Sequence, residues 1–370
     1  MAAIFACLSW GLIQFAQAHW VLVDMVYPYV TRMIQDFLAQ WSTGVDFCLW
    51  QLILMIMGVV GLASIVMMVI WKWNPIQWLG WVAAAISVVV FLNTAIYGLN
   101  DYAGPIARDL RLEVTDYTVN ELERAGEFYL EQANELSGQV GRNSDGTVDY
   151  PALEDLAVLA AQGFENQTYE RFNPVFAGTT IPVKELGWSG PMSRRGITGI
   201  TVGLTGEATV NPRTPAVAMP FVICRQMAQR MCIVNEQDAS FAAFLACDAN
   251  PLPEFRYSGY LMAYNYCRQM LEMMDTGSAQ ASATKLEGKE NARVQQDLED
   301  YNSSFAGKKD KLLEVETSQD EDTQERNSMV DLLVSWHIQV YILPTQVEEK
   351  VVFDPKDETQ EVLADIVNAQ

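Results

Sequence analysis

Two long apolar runs near the N-terminus constrain the fold of this chain more than any other feature. Residues 47–71 and residues 79–99 contain no charged side chain. An α-helix rises about 1.5 Å per residue, so either run is long enough to cross the roughly 30 Å hydrocarbon core of a membrane. A less extended apolar run begins the chain, and we predict three transmembrane helices over about 2–22, 47–71 and 79–99.

The charge of the chain lies almost entirely after these runs. The whole chain has a formal net charge of −22, and residues 1–100 contribute −1 of it through Asp24, Arg32, Asp36, Asp46 and Lys72. We therefore predict a transmembrane region over 1–100 and an acidic domain over 101–370. Clustered Lys and Arg are needed to bind phosphates, so this domain is not expected to bind nucleic acid.

The side of the membrane is predicted from one basic residue. Lys72 lies in the short turn between the two long runs, and basic residues prefer cytoplasmic turns. We therefore expect a multi-pass protein of the cell membrane, with the lipid bilayer as a partner and residues 101–370 outside the cytoplasm. Residues 23–41 mix apolar and polar side chains at helical spacing, which is typical of an amphipathic segment on the outer face of the membrane.

The first apolar run has a second interpretation, as a signal peptide that is removed. Small residues at Ala16 and Ala18 are typical of a cleavage site. No Lys or Arg precedes the run, however, and a signal peptide normally begins with basic residues. The absence of basic residues favours a retained helix.

The acidic domain has the pattern of a mainly helical α+β fold. Helical periodicity prevails on either side of residues 173–215, a stretch rich in Gly and Pro with short β-like pieces. Residues 275–328 are charged and poor in apolar side chains, which predicts a solvated helix or helical hairpin. The cysteines allow free thiols or disulfides, the latter as Cys224–Cys247 or Cys232–Cys267.

The segment that begins at Cys224 has the spacing of a zinc-protease helix without its zinc ligands. Arg225 and Gln229 lie four residues apart, Gln226 follows the first, and Glu236 comes seven residues after Gln229. In an H-E-x-x-H helix, two histidines at this spacing bind zinc and the glutamate is the general base. A guanidinium has no lone pair for a metal, and the glutamine amides are poor zinc ligands.

Four segments together resemble a known family. They are "GITGITVGLTGEATV" at 196–210, the Cys224–Cys247 helix pair, "FRYSGYLMAY" at 255–264 and "MVDLLVSW" at 329–336. Their order resembles a bacterial family of three-helix membrane-anchored proteins of unknown function that is itself similar to H-E-x-x-H zinc metallopeptidases of the gluzincin type. The family has a C-H-E-x-A-H-Q-R-G helix and an acidic residue at the start of the next helix.

The resemblance implies a gluzincin-like domain with a degenerate motif. Arg225, Gln226 and Gln229 stand where the family has His, Glu and His, and either Glu236 or Asp238 stands at the acidic ligand. The resemblance further implies that the cleft is lined by Glu207, Arg256, Tyr257 and Tyr260. With the H-E-x-x-H motif replaced by Arg225-Gln226-Met227-Ala228-Gln229, we expect no catalytic residue, no metal and no cofactor. Two arrangements of Arg225 are open: a buried ion pair with Glu236 where the metal would be, or a side chain that points to solvent.

These observations predict a membrane-anchored, catalytically inactive metallopeptidase homologue that binds a peptide or an envelope protein. One alternative is a structural subunit of an envelope complex that docks through residues 275–328. The other is a hydrolase with non-zinc chemistry, in which Cys224 would be the nucleophile and Arg225 would lower its pKa. No histidine is placed to accept the proton of Cys224, which weighs against this second alternative.

Overall fold

The apolar runs form helices in the computed structural model, which describes residues 1–45, 47–170, 174–308 and 327–343. Helices α3 (Leu49–Ile70) and α4 (Pro75–Ile96) are each long and apolar enough to cross a membrane. Helices α1 (Ala2–Ala18) and α2 (Trp20–Ser42) meet that test only as a pair, and the chain turns by 115° between them. The described chain is therefore that of a membrane protein with two spans, or three if α1 and α2 together form one.

The start of α4 differs from the predicted residue 79 for a local reason. Asn74 caps the helix by accepting a hydrogen bond from the backbone N–H of Ile76 at 2.9 Å, and Pro75 occupies the first helical position. Proline suits that position because its missing N–H would have no partner there. The polar residue Gln77 is thus part of the helix and Asn74 caps it, although both lie outside the apolar run.

Beyond residue 100 the described chain consists of helices around one small sheet, which confirms the mainly helical α+β prediction. The strands are β1 (Lys184–Glu185), β2 (Gly199–Val202) and β3 (Glu207–Val210), in the order β1-β3-β2. β3 runs parallel to β1 and antiparallel to β2. The helices are α5 (Ile106–Asp109), α6 (Val119–Leu136), α7 (Leu153–Leu159), α8 (Ala161–Glu165), α9 (Ser189–Ser193), α10 (Met219–Arg230), α11 (Glu236–Ala249), α12 (Pro253–Met273), α13 (Gly277–Glu287), α14 (Ala292–Ser303) and α15 (Met329–Trp336).

Helices α10, α11 and α12 form the centre of the core. Every residue of α10 is buried, and α12 packs against α6, α10 and α11. α12 buries apolar and aromatic side chains all round its circumference, including Tyr257, Leu261 and Tyr264. Because α10 is buried on all sides, its polar side chains must find partners within the protein.

The charged segment after residue 275 is less solvated than its composition predicts. It forms α13 and α14 up to residue 308, and its few apolar residues point into the core. Ala279, Ala283 and Leu286 recur three or four residues apart on α13, as Val294, Leu298 and Tyr301 do on α14. Such spacing places sparse apolar residues on one buried face. Residues 309–326 of the segment and the tail from Pro344 lie outside the described residues.

Candidate functional site

The three substituted motif positions on α10 face two neighbouring elements. The guanidinium Nη2 of Arg225 donates a hydrogen bond to the hydroxyl of Thr198, just before β2, at 2.6 Å. The Gln226 Oε1 accepts one from the hydroxyl of Thr201, within β2, at 3.1 Å. The Gln229 amide donates to a carboxylate oxygen of Glu236 at 3.1 Å. One side of α10 therefore contacts both β2 and the first residue of α11.

The region around Gln226 is tightly packed. Gln226 is 2 % exposed. A side chain at Gly199 would place its Cβ 2.6 Å from Cγ of Gln226 and 2.7 Å from the carbonyl oxygen of Thr209. β2 thus lies directly on α10, with a glycine at the point of closest approach. Among the described residues, no group of three or more His, Cys, Asp or Glu side chains is placed to hold a metal ion.

The predicted ion pair between Arg225 and Glu236 is wrong. Arg225 is buried and directs its guanidinium to Thr198, whereas Glu236 is exposed and accepts its hydrogen bond from Gln229. The helix cap explains this arrangement. Asn235 caps α11 by accepting from the N–H groups of Gln237 and Asp238, so Glu236 occupies the first turn, where a carboxylate is stabilised without a cation.

Glu207, one of the four predicted cleft residues, is instead bonded to the start of a membrane helix. Its carboxylate accepts hydrogen bonds from the backbone N–H groups of Leu49 and Trp50, both at 2.8 Å. The Lys184 ammonium lies 2.8 Å from the same carboxylate. Glu207 is 1 % exposed, so its charge is balanced by Lys184 and by the positive end of α3. We call Glu207, Lys184 and the first turn of α3 the junction.

Neighbouring contacts strengthen the junction. Lys184 also donates to the carbonyl oxygen of Ser42, at the end of α2, at 2.7 Å. The backbone N–H of Gly187 donates to Oε1 of Gln51 at 3.1 Å. The small sheet therefore holds the end of α2 and the beginning of α3 at the same place.

Tyr257 belongs to a separate buried network. Its hydroxyl donates to the Asp297 carboxylate, which also forms a two-pronged ion pair with Arg142 at 2.7 and 3.1 Å. Burial and the adjacent Asp297 raise the pKa of Tyr257 above its usual value, so the phenol stays protonated. The network ties α12 to α14 and to the turn before α7.

Tyr260 and Arg256, the remaining predicted cleft residues, lie elsewhere on α12. The Tyr260 hydroxyl donates to the Asp248 carboxylate at 2.7 Å, and Arg256 is half-buried in the first turn of the helix. His337 is nearby, with its ring centroid 5.0 Å from that of Phe128. Burial, with a smaller effect of Arg124, lowers the pKa of His337 to about 4. Glu207, Tyr257 and Tyr260 therefore have different hydrogen-bond partners.

The cysteines of the domain are buried and unbridged. Cys224 is fully buried beside Cys247, and Cys232 and Cys267 are also buried and form no disulfide bond. Burial raises the pKa of Cys247 well above its usual value, and the hydrogen bond with Cys224 adds to that effect. Because no substrate reaches a fully buried sulfur, this arrangement does not support Cys224 as a nucleophile.

The sequence did not predict the contacts of two cations: Lys184, which is partly buried, and Arg230, which is buried. Lys184 belongs to the junction, and Arg230 at the end of α10 is 2 % exposed and donates to the backbone carbonyls of Thr179 and Ile181. Burial lowers the pKa of Arg230 to about 10. The only sequence signal for Arg230 is a basic residue inside a helix with no nearby acid, and that pattern is too common to identify a buried cation.

The comparison with known families concerns most of the chain. Residues 23–319 match the model of a family described as a protein of unknown function, DUF3810. The chain belongs to this family. The match confirms the prediction of a family of unknown function and carries no information about a relationship to metallopeptidases. No curated protein and no solved structure matches the chain.

Proposed function

We propose that this chain is a membrane-anchored, catalytically inactive homologue of gluzincin-type zinc metallopeptidases that binds a peptide or an envelope protein. The observation that carries the proposal is the contact of Gln229 with Glu236. The resemblance assigns these positions to two zinc ligands, and two ligands of one metal must have side chains that converge. Their hydrogen bond supports that assignment, with a glutamine in place of the metal-binding histidine.

The loss of catalysis follows from residue chemistry. Arg225 is a permanent cation, and Gln226 cannot accept a proton at neutral pH, so neither a metal ligand nor a general base remains at those positions. Glu236 alone cannot hold zinc, which needs at least three protein ligands in a catalytic site.

Peptide binding is supported by the position of β2. Among the described residues, β2 has a strand neighbour on one side only in the sheet order β1-β3-β2, and it lies on α10 beside Gln226. An unpaired strand edge can take up an extended peptide through backbone hydrogen bonds. We propose that a peptide segment adds to the free edge of β2, as a substrate would in an active relative.

Metal binding tests the relationship. Purified without chelator, the wild-type protein should contain no stoichiometric zinc, whereas the variant Arg225→His/Gln226→Glu/Gln229→His should bind about one zinc ion per chain. The matched control adds Glu236→Gln to that variant and should bind zinc more weakly. One zinc per wild-type chain would refute the inactive assignment. If the triple variant has the same unfolding midpoint as the wild type and still binds no zinc, the proposed relationship to metallopeptidases is wrong.

The second candidate is a structural subunit of an envelope complex, and one observation favours it. A polar cavity of about 570 Å³ opens between α12, α13 and α14, away from the substituted positions, and Arg268, Glu287 and Glu290 are among its lining residues. A photo-crosslinking residue at Thr201 on β2 and one at Ser278 on α13 separate the two candidates. Crosslinks to a partner from Thr201 support peptide binding, and crosslinks from Ser278 alone favour the structural subunit.

We also propose that the domain lies outside the cytoplasm, with Lys72 on the cytoplasmic side of the α3–α4 turn. Asp145 is exposed in the turn between Asn143 and Thr147, so a cysteine introduced there should react with a membrane-impermeant reagent in cells whose inner membrane is intact. Reaction only after that membrane is permeabilised would place the domain on the opposite side.

A further inference from the structure

Helix α2 has two faces of different character. One face is buried against the rest of the protein. Its residues recur every three to four positions from Pro28 onward and include Val23 five positions earlier: Val23, Pro28, Thr31, Gln35, Ala39 and Ser42. The opposite face carries exposed large apolar side chains: Leu22, Met25, Val26, Tyr29, Val30, Met33, Phe37 and Trp41. In a water-soluble helix the apolar face would be the buried one. In α2 the arrangement is reversed.

The buried face of α2 is bonded to the domain through polar contacts. The Gln35 amide donates to the carbonyl oxygen of Gly203 at 2.9 Å, and Nε of Arg32 donates to the carbonyl oxygen of Met231 at 2.9 Å. Gly206, with a φ of 65°, lies so close that a Cβ there would be 2.6 Å from the backbone nitrogen of Ala39. α2 is therefore held directly on the loop between β2 and β3 and on the end of α10.

Two contacts place α2 level with the domain-side ends of the spans, which are the beginning of α3 and the end of α4. The hydroxyl of Tyr27 donates to the carbonyl oxygen of Thr94, in the last turn of α4, at 3.1 Å. At the C-terminal end of α2, Lys184 links Ser42 to the junction and hence to the first turn of α3. α1 packs along α4, and the chain turns by 115° before α2, so α2 runs across the ends of the spans.

We propose that the exposed apolar face of α2 is a docking surface for the lipid bilayer, embedded at the boundary between headgroups and acyl chains. The exposed apolar surface of α3 and α4 defines where the hydrocarbon lies, and the outer face of α2 continues it at their domain-side ends. Trp20 and Trp41 stand at the two ends of α2, and tryptophan favours the membrane–water interface. Asp36 and Gln40 bond to each other near its C-terminal end, where headgroups and water can solvate them.

This arrangement places the end of α10 close to the membrane. Met231 and Cys232 contact the inner face of α2 through Arg32 and Thr31. A helix with its side chains is about 10 Å across, so one helix diameter separates the end of α10 from the lipid. The lipid-docking assignment depends neither on the proposed peptide binding nor on the side of the membrane that the domain occupies.

Spin labels in the full-length protein, reconstituted in phosphatidylcholine vesicles, test the assignment. Cys7 is the exposed cysteine and the other five are buried, so Cys7→Ser provides a background for single labels. We would compare labels at Met25 and Met33 with references at Val60, in the middle of α3, and Ser144, in an exposed turn. Each label is exposed to oxygen, which partitions into lipid, and to a water-soluble nickel chelate.

The labels at Met25 and Met33 should collide more often with oxygen than with the nickel chelate, at a depth between those of the two references. Collision ratios equal to that of Ser144 would place α2 in water and overturn the proposal. Ratios at both positions equal to that of Val60 would make α1 and α2 one membrane span and overturn it as well. Low collision with both reagents, with spin–spin broadening that disappears on dilution with unlabelled protein, would assign the face to a second copy instead.

Discussion

The junction and the face of α10 that carries Gln226 and Gln229 both use polar side chains inside the protein, but they use them differently. At the junction, Glu207 and Lys184 form an ion pair, and the carboxylate also accepts two backbone N–H groups of α3. On α10, Gln226 and Gln229 form single hydrogen bonds to Thr201 and to the exposed Glu236. The junction therefore depends on an ion pair, whereas Gln226 and Gln229 contribute hydrogen bonds of neutral amides, each of which contributes less to stability.

The difference teaches that a residue in a functional-looking motif need not belong to the functional site. Glu207 lies within "TGEA", which predicted a cleft residue, yet its carboxylate holds the small sheet to a membrane helix. Removing one member of a buried pair leaves the other without a partner, whereas removing a neutral hydrogen bond costs much less. Stability measurements can therefore distinguish the two regions.

The largest effect is expected at the junction. Glu207→Gln should lower the free energy of unfolding by about 3–5 kcal/mol, because it leaves the Lys184 ammonium without a counter-charge. Glu185→Gln is the matched control, since Glu185 lies in the same strand region but is exposed, and it should change stability by less than about 0.5 kcal/mol. Denaturant unfolding in detergent measures both. The double variant Glu207→Gln/Lys184→Met should recover much of the loss. Equal stability of Glu207→Gln, Glu185→Gln and the double variant would contradict the difference between the two regions.

The Tyr257 network should behave like the junction. Asp297→Asn should cost about 3 kcal/mol, because Arg142 loses its charged partner in a largely buried position. Asp300→Asn, on the exposed side of the same helix, should cost less than about 0.5 kcal/mol. Thermal unfolding of the two variants provides the measurement. If Asp297→Asn is as stable as Asp300→Asn, the ion pair beside Tyr257 does not stabilise the fold. The predicted role of Tyr257 in lining a cleft would then be the better explanation of its position.

His337 should make stability depend on pH in a defined window. Its pKa in the folded protein is lowered to about 4, so below pH 6.5 the unfolded chain binds more protons than the folded one. The free energy of unfolding is therefore unaffected by the protonation of His337 above about pH 6.5. It decreases as the pH falls towards 4, by an amount on the order of 2 kcal/mol. The difference between wild type and His337→Phe isolates it, because burial raises the pKa of Asp109 and Glu290 and these groups act in the opposite direction. A difference that is constant between pH 4 and 7 would contradict it.

The smallest effect is expected at the substituted site. Glu236→Gln should change the free energy of unfolding by less than about 0.5 kcal/mol, because Glu236 is exposed and its partner Gln229 is neutral. Gln229→Leu should cost no more than about 1.5 kcal/mol for one lost hydrogen bond. If Glu236→Gln instead lowers the free energy of unfolding by about 3 kcal/mol, Glu236 has a charged partner. The α10 face would then depend on an ion pair, as the junction does.

The features that depend on residues close together in the sequence could be predicted from it. The spans follow from runs of apolar residues, and the predicted bounds of α3 are correct to within about two residues. The spacing of Arg225, Gln226 and Gln229 on α10 is also local, since residues four apart on a helix share a face. The burial of α13 and α14 was missed, because a few apolar residues at helical spacing are hidden by a charged average composition.

By itself, the sequence determined the membrane helices, the mainly helical class and the absence of zinc-binding side chains at the motif positions. These depend on residue type and on spacings of a few residues. Only the tertiary structure decided that Glu207 bonds to Leu49 and Trp50, that Tyr257 reaches Asp297, and that Arg225 turns to Thr198. Leu49 and Trp50 lie more than 150 residues from Glu207 along the chain. Spacing carries no information over such distances, because the packing of whole helices and strands determines which side chains meet.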